Sequence, residues 1–354
     1  MLAEERQKLI LEHIRLYGRV RAVDLARELN VAEVTIRRDL NGLHSAGMLS
    51  RIHGGAVRRG QEQPGSPGQK LVGIVVPSSM YYFSEVIRGA ESAAERFGVR
   101  LVLGVSDYGA VEQDRVRRMI ALGVEGILLA TAAGDSDPGA AAWVEDISVP
   151  TVLMERAFGS PSLKREMDHV RTDHRAGAVL ALRHLYGLGH RSIAVAMSAT
   201  PTSYWLELGC RDAREILGLT DQPEVVQLGR VGGDGVPAEL DQLLDRCLAN
   251  GTRAFFVHND MAAALLVELA FQRGLRIPED IAVVAYDDVT ASMAPVPLTA
   301  VSPPKHAVGS LALEQLMRSI GYGSTIAGPV SHLSLLPTLH IRESCGAREI
   351  PSDR

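Results

Sequence analysis

Apolar positions recur at helical spacing through the first 60 residues, and the texture then changes to short apolar runs separated by amphipathic stretches. Residues 4–17 place Leu9, Ile10, His13, Ile14 and Leu16 on one face and stop at Gly18, which predicts a first helix. Val23, Leu25, Ala26 and Leu29 repeat with the helical period, Asn30 interrupts, and Val31 follows. A second amphipathic helix then runs through Val34, Ile36, Leu40 and Leu43. Two short helices about a tight turn, the second carrying Thr35, Arg37 and Arg38 on its polar side, form a helix-turn-helix pattern. A helix of this width enters a major groove, where hydroxyl and guanidinium groups reach phosphates and base edges. Residues 47–52 and 54–57 read as a β-hairpin, a wing that sets Arg51 and His53 against DNA backbone or minor groove.

The run RRGQEQPGSPGQK that follows is rich in Gly, Pro and Gln and has no apolar periodicity, so the head is set at 1–59 and a linker at 60–70. Beyond it, residues 71–76, 101–105, 126–130 and 151–154 predict buried parallel strands, with helices near 83–97, 111–122 and 140–146. A second series has strands at 193–197, 225–228, 254–257 and 281–285, with helices near 174–187, 204–217, 237–249 and 261–274. Strand and helix alternating through two series predict two doubly wound α/β lobes, with functional loops at the carboxyl ends of the strands.

The spelling GRVRAVDLARELNVAEVTIRRDLNGLHSAGMLSRIHGGA, with its TIRRDL, later G-x-L-x-R and closing HGGA, resembles the DeoR-type winged helix-turn-helix. One departure is Ala32, where that family usually has a serine at the start of the recognition helix; losing such a cap costs about 1 kcal/mol. Over 71–346 the chain resembles the effector domain of the lactose-repressor (LacI) family, which shares its fold with periplasmic sugar-binding proteins. The matching stretches include GIVVP, FSEVIRGAESAAERFG, GVEGILLA, VPTVLMER, DHRAGAVLALRHLYGLGHRSIAV, HNDMAAALL, IPEDIAVVAYDDV, PLTAVSPP and LPTLHIRESC. The resemblance implies a small α/β winged helix-turn-helix domain plus a two-lobed, periplasmic-binding-protein-like α/β domain. Its chain crosses between lobes near Asp173, near Thr299 and around Gly328. Lobe 1 then takes about 71–172 and 300–324, including a helix at 305–320, and lobe 2 about 173–299 and 325–346. The helix that joins a lactose-repressor head to its body is missing, since the linker contains Pro64 and Pro67 and is a poor helix former.

Charge sharpens this division. The chain of 354 residues has a formal net charge of −5, but residues 1–60 hold eleven Lys/Arg against seven Asp/Glu, a net of +4. The remainder holds 26 against 35, a net of −9, so attraction to phosphate is concentrated at one end. No apolar run reaches the roughly 18 residues a transmembrane helix needs, and the first residues lack the pattern of a signal peptide. The three cysteines, Cys210, Cys247 and Cys345, form neither a metal spacing nor a disulfide framework, so the cytoplasm is the expected compartment.

In the lactose-repressor family the effector lies between the lobes, and the resemblance places candidates there. Asp287 matches the family's ligand carboxylate; at a strand's carboxyl end it accepts two hydroxyl or amine donors, or it serves as a hinge carboxylate held by backbone N–H groups. Asn259 or Asp260, where a strand passes into a helix, faces the cleft or caps that helix. Tyr82 and Phe83 stack on a sugar or base, as the Tyr-Phe of purine-sensing members implies, or are core. Arg156 and Asp173 match positions that line the cleft or its crossing strand. Leu206 stands where the family usually has a ligand-clamping Arg, so either the ligand is less polar with Trp205 as a stacking surface, or another Arg substitutes, or the effector is atypical.

An enzyme finds no support: HExxH, GxxxxGK[ST] and paired-cysteine motifs are missing, and Tyr108 breaks a nucleophile elbow at Ser106. The expectation is a DNA-binding regulator, a repressor of the homodimeric kind on operator DNA, modulated by a sugar, polyol or nucleobase-like effector, with no cofactor, no metal and no membrane. The rival is a binding protein of the periplasmic type without a DNA role; it has no use for TIRRDL or a wing.

Overall fold

The computed structural model describes residues 3–17, 19–29, 31–52, 55–58, 70–107, 111–131, 143–157, 166–219, 225–229, 233–321 and 329–347. It divides into two compact units, Met1–Lys70 and Leu71–Arg354. The linker expected over 60–70 lies outside the described residues apart from Lys70, as do His53 and Gly328.

The first unit has helix α1 (Ala3–Tyr17), strand β1 (Arg19–Arg21), helices α2 (Ala22–Glu28) and α3 (Glu33–Ser45), and strands β2 (Leu49–Ile52) and β3 (Gly55–Arg58). The strands form one sheet in the order β1-β3-β2, so a third strand joins the expected hairpin. Ile10, Ile14, Leu25, Ile36, Leu40, Leu43 and Leu49 fill its core. Two apolar residues assigned to this core lie outside it: Val34 is 71% exposed and Val23 42%. In so small a bundle each helix buries a narrow stripe, and both sit at its border. The Arg6 guanidinium makes a two-point buried ion pair with Asp39, fixing α1 against α3. Ala32 makes no side-chain cap on α3, as its methyl group requires.

The second unit has two six-stranded sheets. Lobe 1 is built on β4 (Leu71–Val76), β5 (Arg100–Val105), β6 (Gly126–Leu129), β7 (Thr151–Met154), β8 (His169–Thr172) and β14 (His332–Leu335), in the order β14-β8-β7-β6-β4-β5, all parallel. Lobe 2 is built on β9 (Ile193–Ser198), β10 (Val225–Leu228), β11 (Ala254–His258), β12 (Ala282–Tyr286), β13 (Thr299–Ser302) and β15 (Thr338–His340), in the order β10-β9-β11-β12-β13-β15. Its strands are parallel except for antiparallel β15. Continuous apolar runs such as residues 254–257, buried throughout, are what a sheet covered on both faces demands. The covering helices are α4 (Tyr82–Phe97), α5 (Glu112–Ala121) and α10 (Lys305–Ser319) in lobe 1. In lobe 2 they are α6 (His174–Gly187), α7 (Ser203–Ile216), α8 (Val236–Ala249) and α9 (Asp260–Gln272).

Two crossings fall later than expected. Strand β13 pairs with β12, so Thr299–Ser302 stays in lobe 2 and the chain leaves at 303–304. Strand β14 pairs with β8, so lobe 1 keeps residues up to Leu335 and the last crossing is at 336–337. Helix α10 docks on α4 at close range. A Cβ on Gly89 would stand 1.9 Å from the His306 carbonyl oxygen, and one on Gly309 would stand 1.9 Å from that of Val86. The two glycines let the backbones touch and seat the returning chain in lobe 1.

Candidate functional site

In the head, Glu33 to Ser45 presents Arg37 and Arg38 exposed and Thr35 half-buried, while Ile36, Leu40 and Leu43 point inward. Arg37 pairs with Glu33 one turn back, Nη2 to Oε1 at 2.6 Å. An exposed pair of this kind contributes under about 1 kcal/mol and yields readily to a phosphate. Arg51 lies on β2, the strand that forms the wing with β3.

In the body, the carboxyl ends of β4, β7, β9, β11 and β12 converge on a cavity of about 70 Å³. Tyr81, Tyr82, Phe83, Glu155 and Arg156 line it from lobe 1, and Thr200, Pro201, Thr202, His258, Asn259 and Asp287 from lobe 2. That is small against the roughly 300–1,000 Å³ of an ordinary ligand cleft.

Glu155, directly after β7, is the centre of the lobe 1 wall. Its Oε1 accepts from the Tyr82 hydroxyl at 2.7 Å and Thr172 Oγ1 at 2.9 Å. Its Oε2 accepts from the Thr172 N–H at 2.9 Å and lies 3.2 Å from His174 Nε2. Burial opposes its ionisation, but His174, Tyr82 and Thr172 outweigh burial and bring its carboxyl down to about 2. His174 Nδ1 in turn meets the Tyr286 hydroxyl at 2.8 Å. A chain of polar contacts therefore runs from lobe 1 into lobe 2 through Glu155, His174 and Tyr286.

Asp287 has the opposite character. Burial and the neighbouring Asp260 push its carboxyl well above the usual carboxylate range, against the pull of Lys305. Its backbone carbonyl accepts from the Lys305 ammonium. Asp260 accepts from the N–H groups of Asp288, Val289 and Thr290 at 3.2, 2.6 and 2.9 Å, which fixes the loop that presents Asp287. Tyr81, Glu155 and Asp287 hold φ of 51°, 56° and 103°, a region disfavoured for side chains with a Cβ and found where a site over-determines its backbone.

Of the seven residues proposed from sequence for the cleft, five meet on this cavity: Tyr82, Phe83, Arg156, Asn259 and Asp287. Their freedom differs. Phe83 and Tyr82 are also lobe 1 core. Arg156 Nε donates to the Thr131 carbonyl at 2.8 Å and Nη1 to that of Glu155 at 2.6 Å. Asn259 Oδ1 caps α9, accepting from the Met261 N–H at 3.2 Å. The other two stand apart. Asp173 caps α6 by accepting from the Ala176 N–H at 2.9 Å, and Trp205 lies under the Arg171 guanidinium, 4.2 Å from its centroid. Leu206 is buried in the lobe 2 core. Sequence reasoning missed Glu155, Tyr81, Thr200 and His258; the only signal was their position at strand ends. Among the described residues no three His, Cys, Asp or Glu converge as metal ligands, and no helix is long and apolar enough to cross a membrane.

A basic helix-turn-helix head and a body with a cavity lined from two lobes are the parts of a ligand-responsive transcriptional regulator. Comparison with known families specifies both parts. Residues 6–62 match the DeoR-like helix-turn-helix domain, and residues 182–345 match the periplasmic binding protein-like domain. The chain is 27% identical to the arabinose metabolism transcriptional repressor of Geobacillus stearothermophilus, over 91% of this chain and 89% of that one. It is 28% identical to the HTH-type transcriptional regulator MalR of Streptomyces coelicolor, over 92% of this chain and 96% of the relative. A LacI family transcriptional regulator from Mycobacterium smegmatis superposes with a TM-score of 0.64 at 26% identity, over 77% of this chain and 98% of that one.

Proposed function

We propose that this protein is a repressor that binds a palindromic operator as a homodimer in the cytoplasm, and that a small molecule taken up between the lobes changes its operator affinity. The observation that carries the reading is one chain joining a recognition helix that exposes Arg37 and Arg38 to a cavity whose walls come from two lobes. Thr35, Arg37 and Arg38 on α3 read the major groove, and Arg51 and His53 of the wing touch the backbone or minor groove. The name of the Geobacillus relative supports repression as the sign of control. Effector binding favours one lobe angle over the other, which resets the spacing of two heads and shifts the DNA-bound population.

The test is fluorescence anisotropy with DNA from the protein's own upstream region. Expected is a sequence-preferring complex whose log affinity falls linearly with log salt, and Arg38→Ala reduces that slope by about 1. A complex indifferent to sequence or to salt would sink the reading.

A further inference from the structure

Helix α3 turns an apolar side chain to solvent on the face that carries its arginines. Val34, the second residue of the helix, is 71% exposed. At about 100° per residue it shares one stripe with Arg37, Arg38 and Asn41, three, four and seven positions on, and all three are exposed. The buried residues of the helix are Ile36, Asp39, Leu40 and Leu43. The apolar pair that fixes the entry of a helix is supplied by others: Val31 before the N-cap and Ile36, the fourth helical residue, both pack in the head core. Val34 takes no part in that core. A β-branched residue also forms helix less readily than alanine, so the fold of the head gains nothing from valine at this position.

The rest of the leading turn narrows what meets this side chain. A recognition helix touches base edges with its N-terminal residues. Here Ala32 at the N-cap is exposed and makes no side-chain cap, and Thr35 is half-buried. Glu33 is engaged by Arg37, whose Nε and Nη2 reach its Oε1 at 2.9 and 2.6 Å. The turn therefore leads with methyl groups, and two guanidiniums follow one turn later. Two cations beside an apolar spot fit a polyanion. In the major groove of DNA the apolar group on a base edge is the C5 methyl of thymine; adenine, guanine and cytosine present donors and acceptors there. Valine in a helix keeps largely to one χ1 rotamer, so its methyls are already placed and little freedom is lost on contact.

We propose that Val34 is a specificity-determining residue that packs its methyl groups on the C5 methyl of a thymine, once in each half-site of the operator. This rests on the reading of α3 as a recognition helix in the major groove. It adds an apolar contact to the polar ones made by Thr35, Arg37 and Arg38, and it makes the methyl of that thymine, not its hydrogen-bonding edge, the group that is recognised.

The experiment exchanges thymine for deoxyuridine, which pairs identically and lacks only the C5 methyl. DNA from the protein's own upstream region is made with a small fraction of its thymines replaced, and the full chain is allowed to bind it. Bound and free DNA are separated on a gel, and cleavage at uracil reports which positions are depleted from the bound pool. Expected is one symmetry-related pair of positions at which uracil weakens binding about fourfold per half-site, the effect of withdrawing one methyl from an apolar contact. At those positions Val34→Ala is expected to abolish the difference between thymine and uracil, and to weaken binding to the thymine DNA by a similar factor. The variant should melt at the parent's temperature or higher by far-ultraviolet circular dichroism; a fall of more than about 2 °C gives Val34 a role in the fold and overturns the inference. A uracil pattern that Val34→Ala leaves unchanged, or no position at which uracil weakens binding, overturns it while sequence-preferring DNA binding stands. A change in sedimentation without a change in the uracil pattern assigns Val34 to contact with a second copy of the chain, and overturns it as well. If the unmodified fragment forms no sequence-preferring complex, the reading of the head fails and this inference falls with it.

Discussion

Glu155→Gln isolates what the charge at the head of the Glu155–His174–Tyr286 chain contributes. Gln keeps the shape and the positive φ, and its carbonyl can still face the Thr172 N–H and His174 while its amide meets the Tyr82 and Thr172 hydroxyls. The substitution therefore mimics protonated Glu155 and removes only the charge. The group is 3% exposed, and its carboxyl falls from an ordinary 4.5 to about 2 in the folded protein. At 1.36 kcal/mol per pKa unit, the ionised form favours the native state by roughly 3 kcal/mol. A depressed carboxylate contributes stability that is present above its unfolded pKa and disappears as pH falls toward its folded one. The variant should thus lose roughly 3 kcal/mol at pH 7 and about none at pH 2. Urea unfolding followed by tryptophan fluorescence reads this out for the body alone, because both tryptophans, Trp143 and Trp205, lie in it. A gap that is the same at pH 7 and pH 3, or below about 1 kcal/mol at pH 7, would refute the assignment of Glu155 as an ionised centre.

Gly89→Ala puts a methyl group into the His306 carbonyl and should cost about 3 kcal/mol or more, whereas Gly187→Ala, with nothing within 4 Å of its added Cβ, should be neutral or stabilising; urea midpoints of the two variants check both. Asp287→Asn should raise ligand-free stability at pH 7 and lose that advantage below pH 4, because a raised carboxyl penalises the native state only once the unfolded chain can ionise; thermal scans across that range decide it. Asp39→Asn leaves Arg6 buried beside a neutral partner and should destabilise the head by about 2 kcal/mol, seen as faster amide hydrogen exchange along α3 with the body's tryptophan-monitored transition unmoved.

The helices and most strands were legible because their signals are local. His174–Gly187 and Leu71–Val76 have the bounds their apolar patterns predict, and Tyr82–Phe97 differs by one residue. Where the signal was not local, the reading slipped. Nothing in the four residues of β13 or β14 says which sheet each will join; that is decided by pairing with β12 and with β8. The cavity shows the same division. Asn259 could be named from its place between an apolar strand and a helix, and Asp287 from the resemblance of the stretch that ends β12. Glu155 looks from sequence like a solvated acid beside Arg156, since Tyr82, Thr172 and His174 that make it a centre are distant along the chain. Thr200 and His258 are ordinary residues whose one distinction, a buried atom without a partner, exists only in three dimensions.

The residues that line the cavity are also those that hold the lobes together, and this decides how a ligand can act. The first crossing is pinned by Thr172 on Glu155 and tied to the third by the Asp173 N–H on the Leu335 carbonyl at 2.8 Å. The second carries Lys305, bonded to the carbonyl of Asp287. Glu155 and Asp287, the strained residues at these pins, are cavity walls as well. Occupancy and lobe angle therefore cannot vary independently: a molecule bonded to both walls changes the free energy of the hinge by the difference between its contacts in the open and closed arrangements. The operator response is bounded by that difference, whatever the total affinity. A ligand bonded to one wall alone would leave the hinge unbiased, whereas one bonded to both walls must favour one lobe angle.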